Sequence, residues 1–332
     1  MGVAGQIKVD VSIESLRVII YVFGGRGLGE SILGILTSNS KPFYTFVLDS
    51  CESDGINPVI RTLDRYNVKK IDLLFWTHPH DDHSVGMDNI ITSFYRKGTV
   101  GIIPMHLFDK GQDVVEITDV CSRVLKTFHK KFRKKNLRSI ECMPHECREV
   151  AGIEMNDKFT HETKRCSFQV LTPIDYVLDN KIRSGEKLSK SLLNRVSLSV
   201  IMDFDGSCFY FGGDVQNTSI NQCDAARLKS CRWIKIPHHG SNGSSSLLGK
   251  LNNCFDTASS TTFLSQPLPV DEVLRQYHED KKAQVYVTQE KLEDPASFGI
   301  IKYVYDFTGE EITADVYLYG NAYKYPKQAE VV

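Results

Sequence analysis

The sequence lacks a long hydrophobic run. A helix needs about 20 consecutive apolar residues to cross a membrane, whereas the first apolar run, at 16–23, is less than half that long. Asp10 and Glu14 precede this run, where a secretory signal would carry basic residues. The sequence therefore argues against a membrane anchor or a signal peptide at this position, and we expect a cytoplasmic protein.

The sequence also lacks paired cysteines and a sizeable net charge. Its nine cysteines are an odd number and include no Cys-x-x-Cys pair, which is typical of free thiols in a reducing compartment. Forty Lys and Arg residues against 41 Asp and Glu residues give a net charge of −1. No global positive field draws the protein to nucleic acid or to an anionic membrane, so any such binding must be local.

No linker rich in Pro, Gly or Ser divides the 332 residues. Short β-rich runs alternate with helical patterns, and this rhythm predicts a layered α/β or α+β fold. We predict a single domain over residues 1–332, with an inserted helical and basic region at about 107–195. Helices are expected at 57–66, 86–96, 114–135 and 270–280. Strands are expected at 16–23, 44–50, 71–76, 98–105, 167–173, 196–204, 207–213, 232–237, 258–265 and 283–288, with a C-terminal hairpin that turns at 308–311.

The stretch THPHDDH, residues 77–83, directly follows the apolar run IDLLFW at a predicted strand end. His78 and His80 are two positions apart, and alternate residues of an extended chain point to the same side, so their imidazoles converge on one point. Asp82 and His83 are neighbours whose side chains diverge toward a second point. This pattern predicts a site for two metal ions, with a pair of ligands for each. A histidine-rich polar turn is the alternative.

A metal ion also needs ligands from distant parts of the chain, and two further strand ends provide candidates. Asp214 follows the apolar run CFYF and two glycines, and its carboxylate has two oxygens with which to bridge two cations. His238 and His239 follow the run WIKIP and precede a glycine-rich polar loop. Each feature alone is also typical of an ordinary turn, but together with residues 77–83 they predict one metal centre.

Taken in order, these motifs resemble those of the metallo-β-lactamase fold superfamily, and in particular its ComEC-like branch, named for DNA-uptake channel proteins. The shared motifs are HxHxDH at 78–83, an aspartate after a Gly-Gly strand end at 212–214, and HHGS at 238–241. The resemblance extends over most of the chain. Further similar segments are the glycine-rich first hairpin at 21–31, the second-strand motif at 46–50, and the Asn-x-x-Ser-Leu segment that begins at 194.

The resemblance implies a four-layer αββα sandwich that holds two divalent metal ions, expected to be Zn²⁺, with Mn²⁺ as the alternative. It assigns the candidate ligands as His78 and His80 for the first ion, Asp82, His83 and His239 for the second, and Asp214 as the bridge between them. His238 is expected to face the substrate, although the sequence leaves open which of His238 and His239 binds metal.

Such a site implies a metal-dependent hydrolase that uses a hydroxide held between the two ions. The sequence contains no GxSxG nucleophile motif. The candidate catalytic residues are Asp82, as a proton acceptor, and His238, which would stabilise an oxyanion or protonate the leaving group. The ComEC-like branch implies cleavage of phosphodiester bonds by a nuclease or phosphodiesterase. The alternatives are a phosphocholine ester, lactone, thioester or β-lactam as substrate, iron-dependent redox chemistry, or a non-catalytic metal-binding interaction module.

Three features depart from the family pattern. His83 is followed by Ser-Val-Gly rather than by x-Gly-Gly, and residues 264–269 replace a substrate-pocket motif of the branch. The third histidine that usually binds the first ion has no clear counterpart. His145 and His161 are the candidates, and a solvated surface histidine is the alternative for each.

Residues 123–138 contain eight Lys or Arg residues, with Leu125, Phe128 and Phe132 spaced for one apolar helix face. The pattern predicts a basic helix that packs by its apolar side and presents its charge to a phosphate backbone. A solvated helix face whose charge offsets acidic residues elsewhere is the alternative. Nucleic acid or another phosphodiester is therefore the expected partner, no membrane is expected as a partner, and any protein partner is unknown.

Overall fold

The computed structural model describes residues 6–25, 29–104, 116–132, 137–140, 147–171, 184, 186, 190–252, 255–262, 268–289, 298–309 and 311–326. Within these residues the strands are β1 (Gln6–Val11), β2 (Arg17–Gly25), β3 (Gly29–Ser38), β4 (Lys41–Leu48), β5 (Leu73–Phe75), β6 (Val100–Pro104), β7 (Leu137–Ile140), β8 (Arg148–Asp157), β9 (Thr163–Val170), β10 (Val200–Phe204), β11 (Ser207–Phe211), β12 (Cys231–Lys235), β13 (Thr257–Ser260), β14 (Gln284–Val287), β15 (Gly299–Asp306), β16 (Thr313–Gly320) and β17 (Tyr323–Tyr325).

The α-helices of the described ranges are α1 (Pro58–Arg65), α2 (Met87–Phe94), α3 (Asp119–Lys131), α4 (Asn217–Ile220), α5 (Ala225–Leu228) and α6 (Asp271–Arg275). Local capping explains where the longer ones begin. The Asn57 side chain accepts the N–H groups of Val59 and Ile60 at the start of α1, and Thr118 accepts the Cys121 N–H at the start of α3. Among the described residues, no helix is long and apolar enough to cross a membrane.

The described strands form two mixed sheets. The first sheet has the order β16-β15-β2-β3-β4-β5-β6-β7, and its strands β4 to β7 run parallel. The second sheet has the order β1-β8-β9-β10-β11-β12-β13-β14-β17, and its strands β11 to β14 run parallel. Each sheet therefore contains a parallel half whose strands all end at one edge.

Three apolar clusters stack these sheets and helices into four layers. Between the sheets, Phe46 of β4 meets Phe168 of β9 edge to face, with ring centroids 4.9 Å apart. On the outer face of the first sheet, Leu74 packs in a cluster with residues of α1, α2 and α3. On the outer face of the second sheet, Ile234 packs in a cluster with residues of α4, α5 and α6. The predicted αββα sandwich is thus confirmed.

The secondary structure agrees with most of the predicted elements. The predicted helix at 114–135 is shorter in the structure, because it begins after the Thr118 cap and its last helical residue is Lys131. The predicted strand at 196–204 begins later, at Val200, because a 3₁₀ helix spans Lys190–Val196. The described part of 107–195 contributes α3, β7, β8 and β9 to the sandwich. That the chain is one domain stays a prediction.

The parallel strands of both sheets place the candidate ligands at one edge of the sandwich. Residues 77–83 follow the carboxyl end of β5, Asp214 follows β11, and His238 and His239 follow β12. The backbone joins the two sheets there, since the Leu198 N–H donates to the Thr77 carbonyl oxygen at 3.0 Å. Loops beyond the carboxyl ends of parallel strands are the usual place for binding sites in such sheets.

The glycine-rich segment forms the β2–β3 hairpin, which packs closely beneath this edge. Gly29 has a φ of +83°, and a Cβ atom there would lie 1.9 Å from the Asp82 carbonyl oxygen. A residue other than glycine would therefore have to displace the backbone of the predicted ligand Asp82. The hairpin therefore limits how closely the backbone of the 81–83 turn approaches the first sheet.

We predict that Gly29→Ala lowers the free energy of unfolding and weakens metal binding, because the new methyl group moves Asp82. Gly55→Ala is the matched control, since Gly55 also has a positive φ, +71°, but a Cβ atom there has no neighbour within 4 Å. The control should lose about 1–2 kcal/mol from its left-handed backbone alone. Denaturant unfolding and metal titration of both variants measure the difference, and equal losses would contradict the prediction.

Candidate metal centre

His78 and His80 converge, but through a tight turn instead of an extended chain. Pro79 lies at a bend, and the His80 N–H donates to the His78 carbonyl oxygen at 3.1 Å. His78 Nε2 and His80 Nδ1 lie 3.2 Å apart, and His78 is fully buried. These two nitrogens therefore face one small volume.

Asp82 and His83 lie in a 3₁₀ turn, Asp81–His83, and face a second volume. His83 Nε2 is 3.5 Å from Asp82 Oδ2 and 3.4 Å from Asp214 Oδ1. His239 Nε2 is 3.2 Å from Asp82 Oδ2 and 3.8 Å from Asp214 Oδ1. The turn and the loop after β12 thus meet across the boundary between the two sheets.

Asp214 lies between the two volumes. Gly213, with φ +50°, turns the chain after β11, and the Asp214 N–H donates to Ser197 Oγ at 2.9 Å. Asp214 Oδ1 faces His83, whereas Oδ2 is 3.7 Å from His78 Nε2. One carboxylate therefore borders both groups of ligands.

The structure places His238 and His239 differently. His239 is buried with its Nε2 toward the carboxylates. The His238 side chain is 14% exposed, and its Nε2 lies 3.9 Å from Asp214 Oδ2 and 3.1 Å from Asn194 Nδ2. Both residues have left-handed backbone, with φ values of 50° and 49° for His239 and His238. Such backbone costs roughly 1–3 kcal/mol per residue and is concentrated at functional sites.

Two sets of donor atoms result, each with all its members within 4.8 Å of one another: His78, His80 and Asp214 in one, and Glu30, His83, Asp214 and His239 in the other. Asp214 belongs to both. His83 Nε2 and Asp214 Oδ1 are buried without a hydrogen-bond partner, which is costly for polar atoms. Imidazole nitrogens and carboxylate oxygens suit Zn²⁺ and Mn²⁺. The residues present therefore fit divalent cations.

Asp49 supports this cluster from behind, and its role was not predicted from the sequence. Its Oδ2 is 2.8 Å from His83 Nδ1 and accepts the Thr77 hydroxyl at 2.6 Å. Thr77 Oγ1 in turn lies 3.0 Å from His78 Nδ1. The carboxylate thus orients one imidazole directly and a second through Thr77, leaving both Nε2 atoms toward the centre. The sequence signal for Asp49 was the motif Leu48-Asp49-Ser50. This motif resembles the second-strand motif of the family, but the sequence analysis gave Asp49 no role.

Ser84 lies in the turn that departs from the family pattern, in which Val85 stands in place of a glycine. Ser84 is fully buried, and its Oγ donates to the His80 carbonyl oxygen and accepts from Trp76 Nε1 at 3.0 Å. The hydroxyl therefore fixes the backbone of the 77–83 loop. Gly86, with φ +82°, completes the turn before α2.

The identity of the third histidine ligand of the first ion stays a prediction. His161 is exposed in the turn between β8 and β9, at the end of the second sheet opposite to Asp214. His145 lies outside the described residues, as do residues 264–267 of the departing pocket segment. Of the two candidates, His161 therefore lies far from the centre.

Negative charge dominates the electrostatics of the centre. The carboxylates involved are Glu30, Asp49, Asp82 and Asp214, and the buried ammonium of Lys235 offsets one of them. Divalent cations would supply the positive charge that balances the remaining three. The electrostatics therefore favour cation binding.

The same carboxylates affect the imidazoles. Burial opposes protonation of His83, but Asp214, Asp82 and Asp49 outweigh it and hold the pKa of His83 well above its usual range. Burial likewise opposes protonation of His239, whose pKa is nevertheless raised, chiefly by Asp214 and Glu30. Burial and the neighbouring His83 lower the pKa of His78. Without metal, protons on His83 and His239 therefore supply part of the missing positive charge.

The solved structures that this chain resembles include two distant ones. No protein-family model matches the chain, and a search of curated proteins finds no match. A diphosphatase of the PhnP family is 14% identical, with a TM-score of 0.38, over 86% of this chain and 98% of that one. The metallo-β-lactamase fold protein YhfI from Bacillus subtilis is 12% identical, with a TM-score of 0.42, over 86% of this chain and 99% of that one. The fold class rests on the chain's own sheets and helices.

We predict that Zn²⁺ affinity rises with pH between about pH 6 and pH 8, because the metal must displace the protons of His83 and His239. For each proton that is released on binding, the Zn²⁺ affinity should increase about tenfold when the pH rises by one unit. Calorimetric titration in buffers with different protonation enthalpies measures the proton release. His161→Gln, a change far from the centre, should leave the release unaltered, and an affinity independent of pH would contradict the prediction.

Proposed function

We propose that this chain is a metal-dependent hydrolase with a dinuclear centre, bridged by Asp214. The observation that carries this proposal is that two sets of donor atoms share Asp214, whose two oxygens face different sets. The proposed ligands are His78 and His80 for the first ion and Asp82, His83 and His239 for the second. Zn²⁺ is the expected metal, and Mn²⁺ is the alternative.

When bound, a pair of divalent ions lowers the pKa of water and polarises the oxygen under attack. Asp82 is proposed to accept a proton as well as to bind metal, since its Oδ2 contacts both His83 and His239. His238 is proposed to contact the substrate, because it lies at the exposed side of the centre. Burial lowers the pKa of His238, so a neutral imidazole donates a hydrogen bond there at neutral pH.

We propose a phosphodiester, such as nucleic acid, as the substrate. Helix α3 buries Cys121, Val124 and Phe128 against the first sheet and exposes Lys126 and Lys130, which lie one turn apart on the same face. The helix begins beside the centre, since the Thr118 hydroxyl donates to Asp81, the neighbour of Asp82. Lys126 and Lys130 lie in the second half of a helix whose first turn is beside the proposed metal centre, and this strip of positive charge supports binding of a phosphate backbone that extends away from the centre.

We predict that Asp214→Ala abolishes hydrolysis of phosphodiesters, because the bridge is lost. The number of metal ions bound per chain should be close to two in the wild type and lower in this variant. Asp64→Ala, which removes an exposed carboxylate on α1, is the matched control and should keep both properties. Plasma mass spectrometry and a chromogenic diester assay measure metal and activity. Normal turnover in the Asp214 variant would refute the mechanism, and a wild type without metal would favour a non-catalytic module.

We predict that reversing the charge of Lys126 and Lys130 to Glu weakens cleavage of single-stranded DNA at least tenfold at low salt, while cleavage of a small diester changes little. The salt dependence of DNA cleavage should fall as well, because fewer phosphates are contacted. Lys41 and Lys69 are exposed at the opposite edge of the same sheet, at the start of β4 and before β5, and their reversal is the matched control. Equal losses on both substrates would make the helix a structural element.

A further inference from the structure

A buried ion pair crosses between the two sheets directly behind the centre. Glu30 lies at the start of β3 in the first sheet, and Lys235 is the last residue of β12 in the second. Lys235 Nζ is 2.7 Å from Glu30 Oε2, and neither side chain is more than 2% exposed. Lys235 Nζ also donates to the Ile236 carbonyl oxygen at 2.9 Å.

This ion pair is connected to His239 rather than isolated. Glu30 Oε2 accepts the Thr261 hydroxyl and lies 3.2 Å from His239 Nδ1. Thr261 Oγ1 lies 2.8 Å from the same ring nitrogen. The His239 N–H at Nδ1 therefore has both a hydroxyl and a carboxylate as acceptors, and the hydroxyl's own proton points to the carboxylate.

Glu30 lies on the far side of the ring from the carboxylates of the centre. Its contact is with Nδ1, whereas His239 Nε2 faces Asp82 Oδ2 at 3.2 Å. Three donors already converge on Oε2, namely Lys235, Thr261 and His239. Glu30 is thus placed to act on an ion through the imidazole instead of binding that ion itself.

Stability alone does not account for this arrangement. Removing a carboxylate and an ammonium from water costs about as much as their attraction returns, and apolar side chains of similar volume often replace buried pairs without loss. An outer carboxylate that accepts the distal N–H of a metal-binding imidazole, in contrast, fixes the tautomer and strengthens the donor nitrogen.

We propose that Glu30 is the positioning residue for His239 as a ligand of the second ion, with Lys235 as the fixed counter-charge of Glu30. This inference rests on the proposed dinuclear function. It assigns a role to the glycine-rich hairpin, which delivers Glu30 from the first sheet to a ligand on the second.

The test compares wild type, Glu30→Gln and the double variant Glu30→Leu with Lys235→Met, all as full chains. Zn²⁺ affinity at each site is measured by chelator competition, and thermal unfolding is measured without metal. We expect both variants to bind the second ion 10–100-fold more weakly, with first-site affinity unchanged. The double variant should unfold near the wild-type temperature, since its apolar pair replaces the ion pair.

A spectroscopic signal separates positioning from a general structural role. In Zn²⁺-loaded wild type, NMR should show a slowly exchanging proton on His239 Nδ1, and this proton should exchange faster in both variants. Glu30→Asp should restore part of the second-site affinity. Two tight sites in both variants, or equal weakening of both sites, would overturn the proposal. A wild type that fails to bind two ions would instead overturn the proposed function itself, and this inference with it.

Discussion

The buried carboxylate of Asp214 is the constraint on which the rest of the centre depends. Its oxygens lie 3.4 Å from His83 Nε2 and 3.7 Å from His78 Nε2, on two sides of one residue. A buried charge is costly unless opposite charge compensates it. Because one turn of chain cannot surround a carboxylate and two imidazole groups, the loops of both sheets must end at the same edge, and the sandwich provides that edge.

The imidazoles around Asp214 are fixed from behind by other buried carboxylates. Asp49 contacts His83 directly and His78 through Thr77, and Glu30 contacts His239 at Nδ1. The contacts arise from neighbouring strands, so the orientation of each ring depends on the pairing within and between the sheets. Left-handed backbone at Asp49, with φ +58°, persists because these contacts hold it. The centre is therefore preorganised by the fold rather than by its own loops.

Much of the architecture could be predicted because the strands that lead to the centre are short apolar runs that end in polar clusters. β5, β11 and β12 are buried from end to end or nearly so, and each precedes ligands. Two of the strands that prediction missed, β1 and β8, have another pattern. β1 alternates polar and half-buried residues at a sheet edge, and β8 carries a bulge with an interior glycine. Their partners, rather than their own composition, make them strands.

The sequence by itself determined which residues are available as ligands and that His78 and His80 lie close together, because only one residue separates them. Only the tertiary structure decided that Asp214 borders both groups, and that His239 is the buried histidine beside Asp82 whereas His238 lies partly exposed beside Asn194. It also decided that Glu30 and Asp49 lie behind the rings. These relations join residues more than 30 positions apart, and such distances depend on how two sheets pack, which no local pattern encodes.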